Sequence, residues 1–217
     1  KAKAMGDGKN GWVSTFEALS AYLFQVQFQA RSKLRETQGE QKKLLSDFLT
    51  PVNLRGPDRL ALGPVYFPNA LTCFSSTFAQ DVLLHEPLPA VARLMHELLR
   101  SCDADHERKS AQWVAALPDR TKIRNIYHHG PGSLMLSQWS AFDLHTDTHF
   151  DTDARGLPIS PVLVAPPFTP VSLIDGLGYL VSPRESGIDC YLALEESVWD
   201  VLDNEPEFSM YPSSRLN

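Results

Sequence analysis

A chain of 217 residues, 43% of them hydrophobic, can bury a substantial core as one domain or two. Its formal net charge of −6 offers no basic stripe that would release phosphate counterions, which excludes a nucleic-acid scaffold. No apolar run approaches the ~20 residues of a membrane-spanning helix, and no secretory signal opens the chain.

Residues 1–12 begin KAKAMGDGKNG, a polar, glycine-rich stretch that reads as a linker or a cut site within a longer polypeptide. The spacing of Phe16, Leu19, Leu23, Val26 and Ala30 predicts a long helix over 14–36. Ser14 and Glu17 give it a capping-box start, and Phe24 and Phe28 bury a second side. Arg31, Lys33 and Arg35 suit a C-terminal end, where the helix dipole favours cations, and Gly39 is a stop.

Residues 43–54 read as a strand placed at an edge or a bulge by Pro51. Residues 56–64 are a loop, and the β-rich run 70–84 is a second strand. Pro87 and Pro89 introduce a helix with Val91, Leu94, Met95 and Leu98 on one face. Another helix, about Asp105 to Leu117, is amphipathic through Trp113, Val114 and Leu117. A polar connection with His128, His129 and Gly130 leads to a strand carrying Leu134, Leu136 and then Trp139. The runs 162–165, 176–182 and 188–194 follow as three short strands, and a helix over about 195–203 carries Val198, Trp199, Val201 and Leu202. The domain core spans 13–208, and the chain is polar from Pro206 into the tail at 209–217. Intermixed helices and strands predict an α/β (α+β) domain with a mixed β-sheet packed with helices.

Cys73, Cys102 and Cys190 are odd in number and far apart, which points to reduced thiols in a cytosolic protein. No G-x-S-x-G, G-x-G-x-x-G or P-loop occurs. His145, Asp147, His149, Asp151 and Asp153 alternate, so a strand would gather them on one face as a Zn²⁺ or Fe²⁺ site. The interleaved threonines and the following Ala-Arg-Gly are loop chemistry instead, and no histidine lies downstream to complete a facial triad. His128 and His129 precede a Gly-Pro-Gly turn and read as surface loop, while Asp175-Gly176 is a turn signal. Residue pattern alone therefore favours a polar loop over a metal site and supplies no self-contained catalytic set.

An ordered set of segments carries a family resemblance. STFEALSAYLFQVQFQAR (14–31), TPVNLRGPDR (50–59), VYFPNAL (65–71), EPLPAVARLMHELL (86–99), LSQW (136–139), APPF (165–168), IDGLGYLVSP (174–183) and GIDCYLALEESVWDVLDNEPEF (187–208) resemble the C-terminal half of the BAHD-type (HxxxD) acyl-CoA-dependent acyltransferases, the fungal secondary-metabolism branch in particular. The resemblance implies a chloramphenicol-acetyltransferase-like half domain, one of two similar domains with the active site in a channel between them. It implies transfer of an acyl group from coenzyme A, a co-substrate, to a hydroxyl or amine of a small-molecule acceptor. The general-base histidine of the HxxxD motif belongs to the N-terminal half, the partner this chain would need, so the chain alone is expected to lack turnover. His149 and Asp153 match H-x-x-x-D literally but fall where the family carries DFGWG, so His149 is not assigned as the base. There Phe150 keeps its place, while the Asp and both Gly are lost. The family's structural Asp pairs with an Arg matched here by Arg55, and Asp147 or Asp151 are the candidates to replace it.

By the same resemblance Trp139 lines the acceptor pocket, its indole N–H aimed at the tetrahedral oxyanion, with Ser137 two positions away on the same strand face. The alternative for the pair is a core aromatic and a satisfied buried hydroxyl. Ser14 and Thr15 are candidates for coenzyme A contacts or only the helix cap. Two other functions stand beside acyl transfer: a non-catalytic binding or docking domain of the same fold, and the metal site at 145–153.

Overall fold

A computed structural model describes residues 12–214 except 40–42, 64, 102, 125, 143, 146–149, 184–185 and 212. Helix α1, Thr15–Gln38, begins where the sequence places its cap. Ser14 Oγ accepts from Glu17 N at 3.1 Å and Glu17 Oε2 accepts from Ser14 N at 2.6 Å, closing both halves of the capping box. Gly39, at φ +68°, ends the helix and donates its N–H to Arg35 O.

Five strands, β1 (Asp47–Asn53), β2 (Leu71–Thr77), β3 (Leu134–Gln138), β6 (Leu177–Val181) and β7 (Asp189–Ala193), form a sheet of order β2-β1-β3-β6-β7. The inner strands β1, β3 and β6 are parallel, and the edges β2 and β7 run antiparallel to their neighbours. Two short strands, β4 (Asp151–Thr152) and β5 (Pro158–Ile159), make a separate hairpin. Helices α2 (Gln80–His85), α3 (Leu88–Arg100), α4 (Ala104–Ala116) and α5 (Glu196–Asp203) complete the mixed α/β architecture. Among the described residues no helix is long and apolar enough to cross a membrane.

The alternation of strand side chains divides the sheet into two unlike faces. Phe48, Leu134, Leu136 and Leu180 share one core with Phe24 and Phe28 of α1, Leu83 of α2, and Val91 and Met95 of α3. The Phe24 ring meets Phe78 edge-on at 5.5 Å and lies 5.8 Å from Phe48. On its far side α1 buries Ala30 against Val198 and Leu202 of α5. A helix clad on both sides needs the multi-faced apolar pattern seen in its sequence.

Several elements depart from the sequence reading. β1 is an inner strand, so Pro51 is not at an edge. It is tolerated because β1 pairs with β3 only through Phe48 and Leu49. Leu54 N donates to Ala70 O and Phe78 N to Ser46 O, so even-numbered residues bond toward β2 and Pro51 N faces the side beyond that short pairing. The run 70–84 is β2 and then α2, because β1 begins at Asp47 and offers no ladder past Ser46; Gln80 turns into a helix and bonds Leu44 O. The run 162–165 is not a strand: prolines 161, 166 and 167 remove ladder donors, and Val162 is 79% exposed. The apolar side of α4 is not buried either, with Trp113 57% exposed. That helix stands on its Asp103 cap, on Arg120 bonding its last carbonyls, and on residues of high helix propensity. The polar tail returns to the body through Phe208 on Trp199 and Tyr211 on Tyr22.

Arg31 is not a dipole-stabilised surface cation. It is 3% exposed and pairs with Asp175 Oδ1 at 2.5 Å, while its Nε donates to Gln27 Oε1. Asp175 also accepts from Glu195 N through Oδ1 and receives His129 Nε2 at its carbonyl. The turn signal at 175–176 is thus a joint between α1, β6 and α5. Gly176, at φ +80°, is required there because a Cβ would stand 2.4 Å from Ser133 O.

Candidate functional site

The carboxyl ends of the parallel strands β1, β3 and β6 lie at one end of the sheet, the position where open α/β sheets hold their ligands. Trp139 is the first residue beyond β3. Its N–H donates to Leu180 O at 2.8 Å, which fixes it beside β6. The indole packs edge to face on Tyr179 with ring centres 4.9 Å apart, and Nε1 donates to Ser137 Oγ at 3.1 Å. Ser137 and Trp139 therefore share a face, as their spacing predicts, and both are half-buried.

The strand registers extend this face. Ser137 stands opposite Tyr179, and Tyr179 opposite Tyr191 on β7. All three are half-buried, in contrast to the sealed residues next to Ser137 and Tyr179 in sequence, Leu136 and Leu180. The indole N–H is spent on Ser137 Oγ, which leaves the Ser137 hydroxyl as the group at the end of that short chain able to donate outward. Partial burial, then the neighbouring Asp189 carboxylate, hold the Tyr191 phenol above its ordinary pKa and keep it protonated.

The other candidate residues are dispersed. At the end of β1 the Arg55 guanidinium bonds Tyr66 O, Pro68 O and Asn53 Oδ1, so backbone and amide oxygens hold it where a carboxylate was expected. Asp151 does not replace the missing carboxylate: it sits in β4 and accepts from Thr152 N. Asp147 and His149 lie outside the described residues. His145 places its ring nitrogens at Pro161 O and Ser182 O, and Asp153 Oδ1 accepts from Arg155 N and Leu157 N within its own turn. Among the described residues no group of three potential ligands could hold a metal ion.

Ser14 is occupied as the helix cap, and Thr15 is exposed. Gln27 bonds Gly132 O and Arg31 bonds Asp175, so the C-terminal half of α1 lies over the amino ends of β3 and β6. From Arg31 to Ser14 the helix rises about 25 Å, which carries the cap toward the same end of the sheet as Trp139, on the helix-covered face. There Glu17 Oε2 also meets His96 Nδ1 at 3.2 Å, and Arg100 Nε donates to His96 Nε2 at 2.9 Å. The sequence gives no site role to His96, Tyr179 or Tyr191, and reads Asp175 only as part of a turn. The two tyrosines lie at matching positions of adjacent strands, but only the register reveals that they meet.

Solved structures share this fold. The TRI101 of F. sporotrichioides, solved with coenzyme A and T-2, superposes with a TM-score of 0.71 at 23% identity, over 97% of this chain and 46% of its own. The TRI101 of F. graminearum with coenzyme A and deoxynivalenol gives 0.63 at 22%, over 97% and 44%. Vinorine synthase gives 0.50 at 15%, over 92% and 41%. The chain spans less than half the length of these proteins. No curated relative matches it by sequence. The family model described as Transferase family matches residues 1–205, and the chain belongs to that family, the BAHD-type transferases.

Proposed function

We propose that the chain is the C-terminal domain of a fungal-branch acyltransferase that moves an acyl group from coenzyme A to a hydroxyl or amine of a secondary metabolite. Its partner is the N-terminal domain of the same protein, which supplies the general-base histidine, and it works in the cytoplasm. Family membership supports this reading, as do fold neighbours solved with coenzyme A and with T-2 or deoxynivalenol. The observation that carries it is the Trp139–Ser137 hydrogen bond on the half-open row of the sheet.

The chemistry follows from that bond. The partner's base takes the proton of the acceptor hydroxyl or amine as it attacks the thioester carbonyl. Negative charge develops on the carbonyl oxygen, and the tetrahedral intermediate then expels the coenzyme A thiolate, which is protonated. The Ser137 hydroxyl is the donor to that oxygen. The indole N–H enters the Ser137 oxygen, turns its proton outward and polarises it, so the donor is oriented before charge appears. Trp139 thus acts through Ser137 rather than on the oxyanion itself.

The test is to combine the chain with an HxxxD-bearing N-terminal half and follow thiol release from acetyl-coenzyme A with an alcohol acceptor. Turnover by the combined halves and none by either alone is expected. Turnover by the 217-residue chain alone would refute the division of labour. Binding of coenzyme A with no transfer by the combined halves would favour the docking-domain alternative.

A further inference from the structure

The chain carries its charge unevenly. Its formal net charge is −6, yet residues 108–126 hold five cations, Arg108, Lys109, Arg120, Lys122 and Arg124, against one carboxylate, Asp119. Among them stand three exposed apolar side chains, Trp113, Ile123 and Ile126, the last 75% exposed. The fold joins the two parts of this segment. Arg120 donates from Nε to Val114 O and from Nη2 to Ala115 O, which lays the turn at 120–122 against the end of α4. Those bonds, and that of Arg124 Nη1 to Thr121 O, go to uncharged carbonyls and leave the guanidinium charges in place. Lys109 and Lys122 meet Asp105 and Asp119, but both pairs stand in water and are held weakly. The other carboxylates at α4, Asp103, Asp105 and Glu107, belong to its cap and first turn. They lie about 14 Å or more along the helix from Ala116, beyond a Debye length of about 8 Å at physiological salt. The corner also lies away from the candidate site. Four residues past Arg124, His128 meets Asp47 at the start of β1, so the segment leads to the amino ends of the parallel strands, whereas Trp139 stands at their carboxyl ends.

We infer that this corner, the end of α4 with the segment to Ile126, docks the protein on an anionic lipid bilayer. The cations meet the headgroups, and Trp113, Ile123 and Ile126 enter the boundary between headgroup and hydrocarbon, where an indole and branched aliphatic side chains are favoured. Apolar side chains set singly among cations suit a fluid interface, which offers both environments within a few ångströms. An acidic protein partner would call for a contiguous apolar centre to the contact. The cytoplasmic leaflet, which carries anionic lipid, is a surface of the matching sign. Bound in this way, the protein turns the Trp139 end of its sheet away from the bilayer and leaves it open. The inference does not depend on acyl transfer.

The test is co-sedimentation of the chain with vesicles of phosphatidylserine and phosphatidylcholine in equal parts, and with vesicles of phosphatidylcholine alone. Binding to the anionic vesicles and not to the neutral ones is expected, and salt at about 1 M, where the Debye length falls to about 3 Å, should release the chain. Lys122→Gln with Arg124→Gln should weaken binding about 25-fold, about fivefold for each charge lost. Arg93→Gln with Arg155→Gln removes the same charge from α3 and from the turn after β4, and should change binding by no more than about twofold. Trp113→Ser and Ile126→Ser should each weaken binding and leave its salt dependence unchanged. Thermal unfolding of every variant checks that it is folded, and all of these positions are exposed. Equal binding to neutral vesicles, no binding to anionic ones, or equal losses from the two charge pairs would overturn the inference. Binding to soluble polyglutamate as tight as to anionic vesicles, and indifferent to Trp113→Ser and Ile126→Ser, would assign the corner to an acidic protein instead. Loss of vesicle binding when the N-terminal half is added would show that half covering the corner, and would also overturn it.

Discussion

Beside Trp139 the two faces of one sheet differ although the same strands supply both. In β3, Leu134 and Leu136 are fully buried in the core with α1 and α3, while Ser137, one residue on, is half-open and accepts the Trp139 indole N–H. In β6 Tyr179 is half-buried beside the fully buried Leu180, and on its own face it is flanked by the buried Leu177 and Val181. The covered face is aliphatic and aromatic carbon that gains stability by leaving water. The row on the other face keeps hydroxyls, an indole and phenols that would be costly to bury unbonded. Stability and recognition are thus divided at single-residue spacing, and substitutions at neighbouring positions should separate them.

The largest expected effect lies where the covered face is anchored. Arg31→Met leaves Asp175 without its buried partner and should cost about 4 kcal/mol in urea-unfolding stability, within the range for breaking a buried pair. Leu136→Ala should cost about 3 kcal/mol by the same measurement, the sum of lost transfer energy and a cavity under α1. Its neighbour gives the opposite signature. Ser137→Ala should change unfolding stability by no more than about 0.5 kcal/mol yet lower kcat of the combined halves about 100-fold, as expected for a lost oxyanion donor. A loss of stability equal to that of Leu136→Ala would place Ser137 in the core and erase the distinction between faces. Trp139→Phe keeps a ring for Tyr179 but removes the N–H into Ser137, so kcat should fall about tenfold with KM for acyl-coenzyme A unchanged. Ser14→Ala should cost about 1 kcal/mol of stability through loss of the cap, measured by thermal unfolding. If KM for acyl-coenzyme A rises as well, the cap also contacts that substrate.

Local rules made much of the fold legible. The Ser14–Glu17 spacing located the start of α1 and Gly39 its end, because capping involves only neighbours in sequence. The apolar periods of α3, α5, β6 and β7 were readable for the same reason. Legibility failed where a partner decided the outcome. Pro51 sits in an inner strand because the pairing of β1 with β3 ends at Leu49, and 162–165 is apolar yet exposed because the prolines around it remove ladder donors. Trp113 shows that an amphipathic pattern does not by itself supply something to bury against.

The candidate site divides in the same way. The two-residue spacing of Ser137 and Trp139 puts both on one face, since side chains in a strand repeat every second residue. That the indole N–H ends on the serine oxygen, and that Tyr179 and Tyr191 continue the row, came only from the registers between β3, β6 and β7. Arg31 and Asp175 make the point again, since 144 positions separate two charges that share one hydrogen bond. The sequence by itself determined the caps, the periods and the same-face pair, because those depend on backbone geometry over a few residues. Tertiary structure alone decided which strands became neighbours, and so which hydroxyls and charges met, because pairing and burial are settled by surfaces distant in the chain.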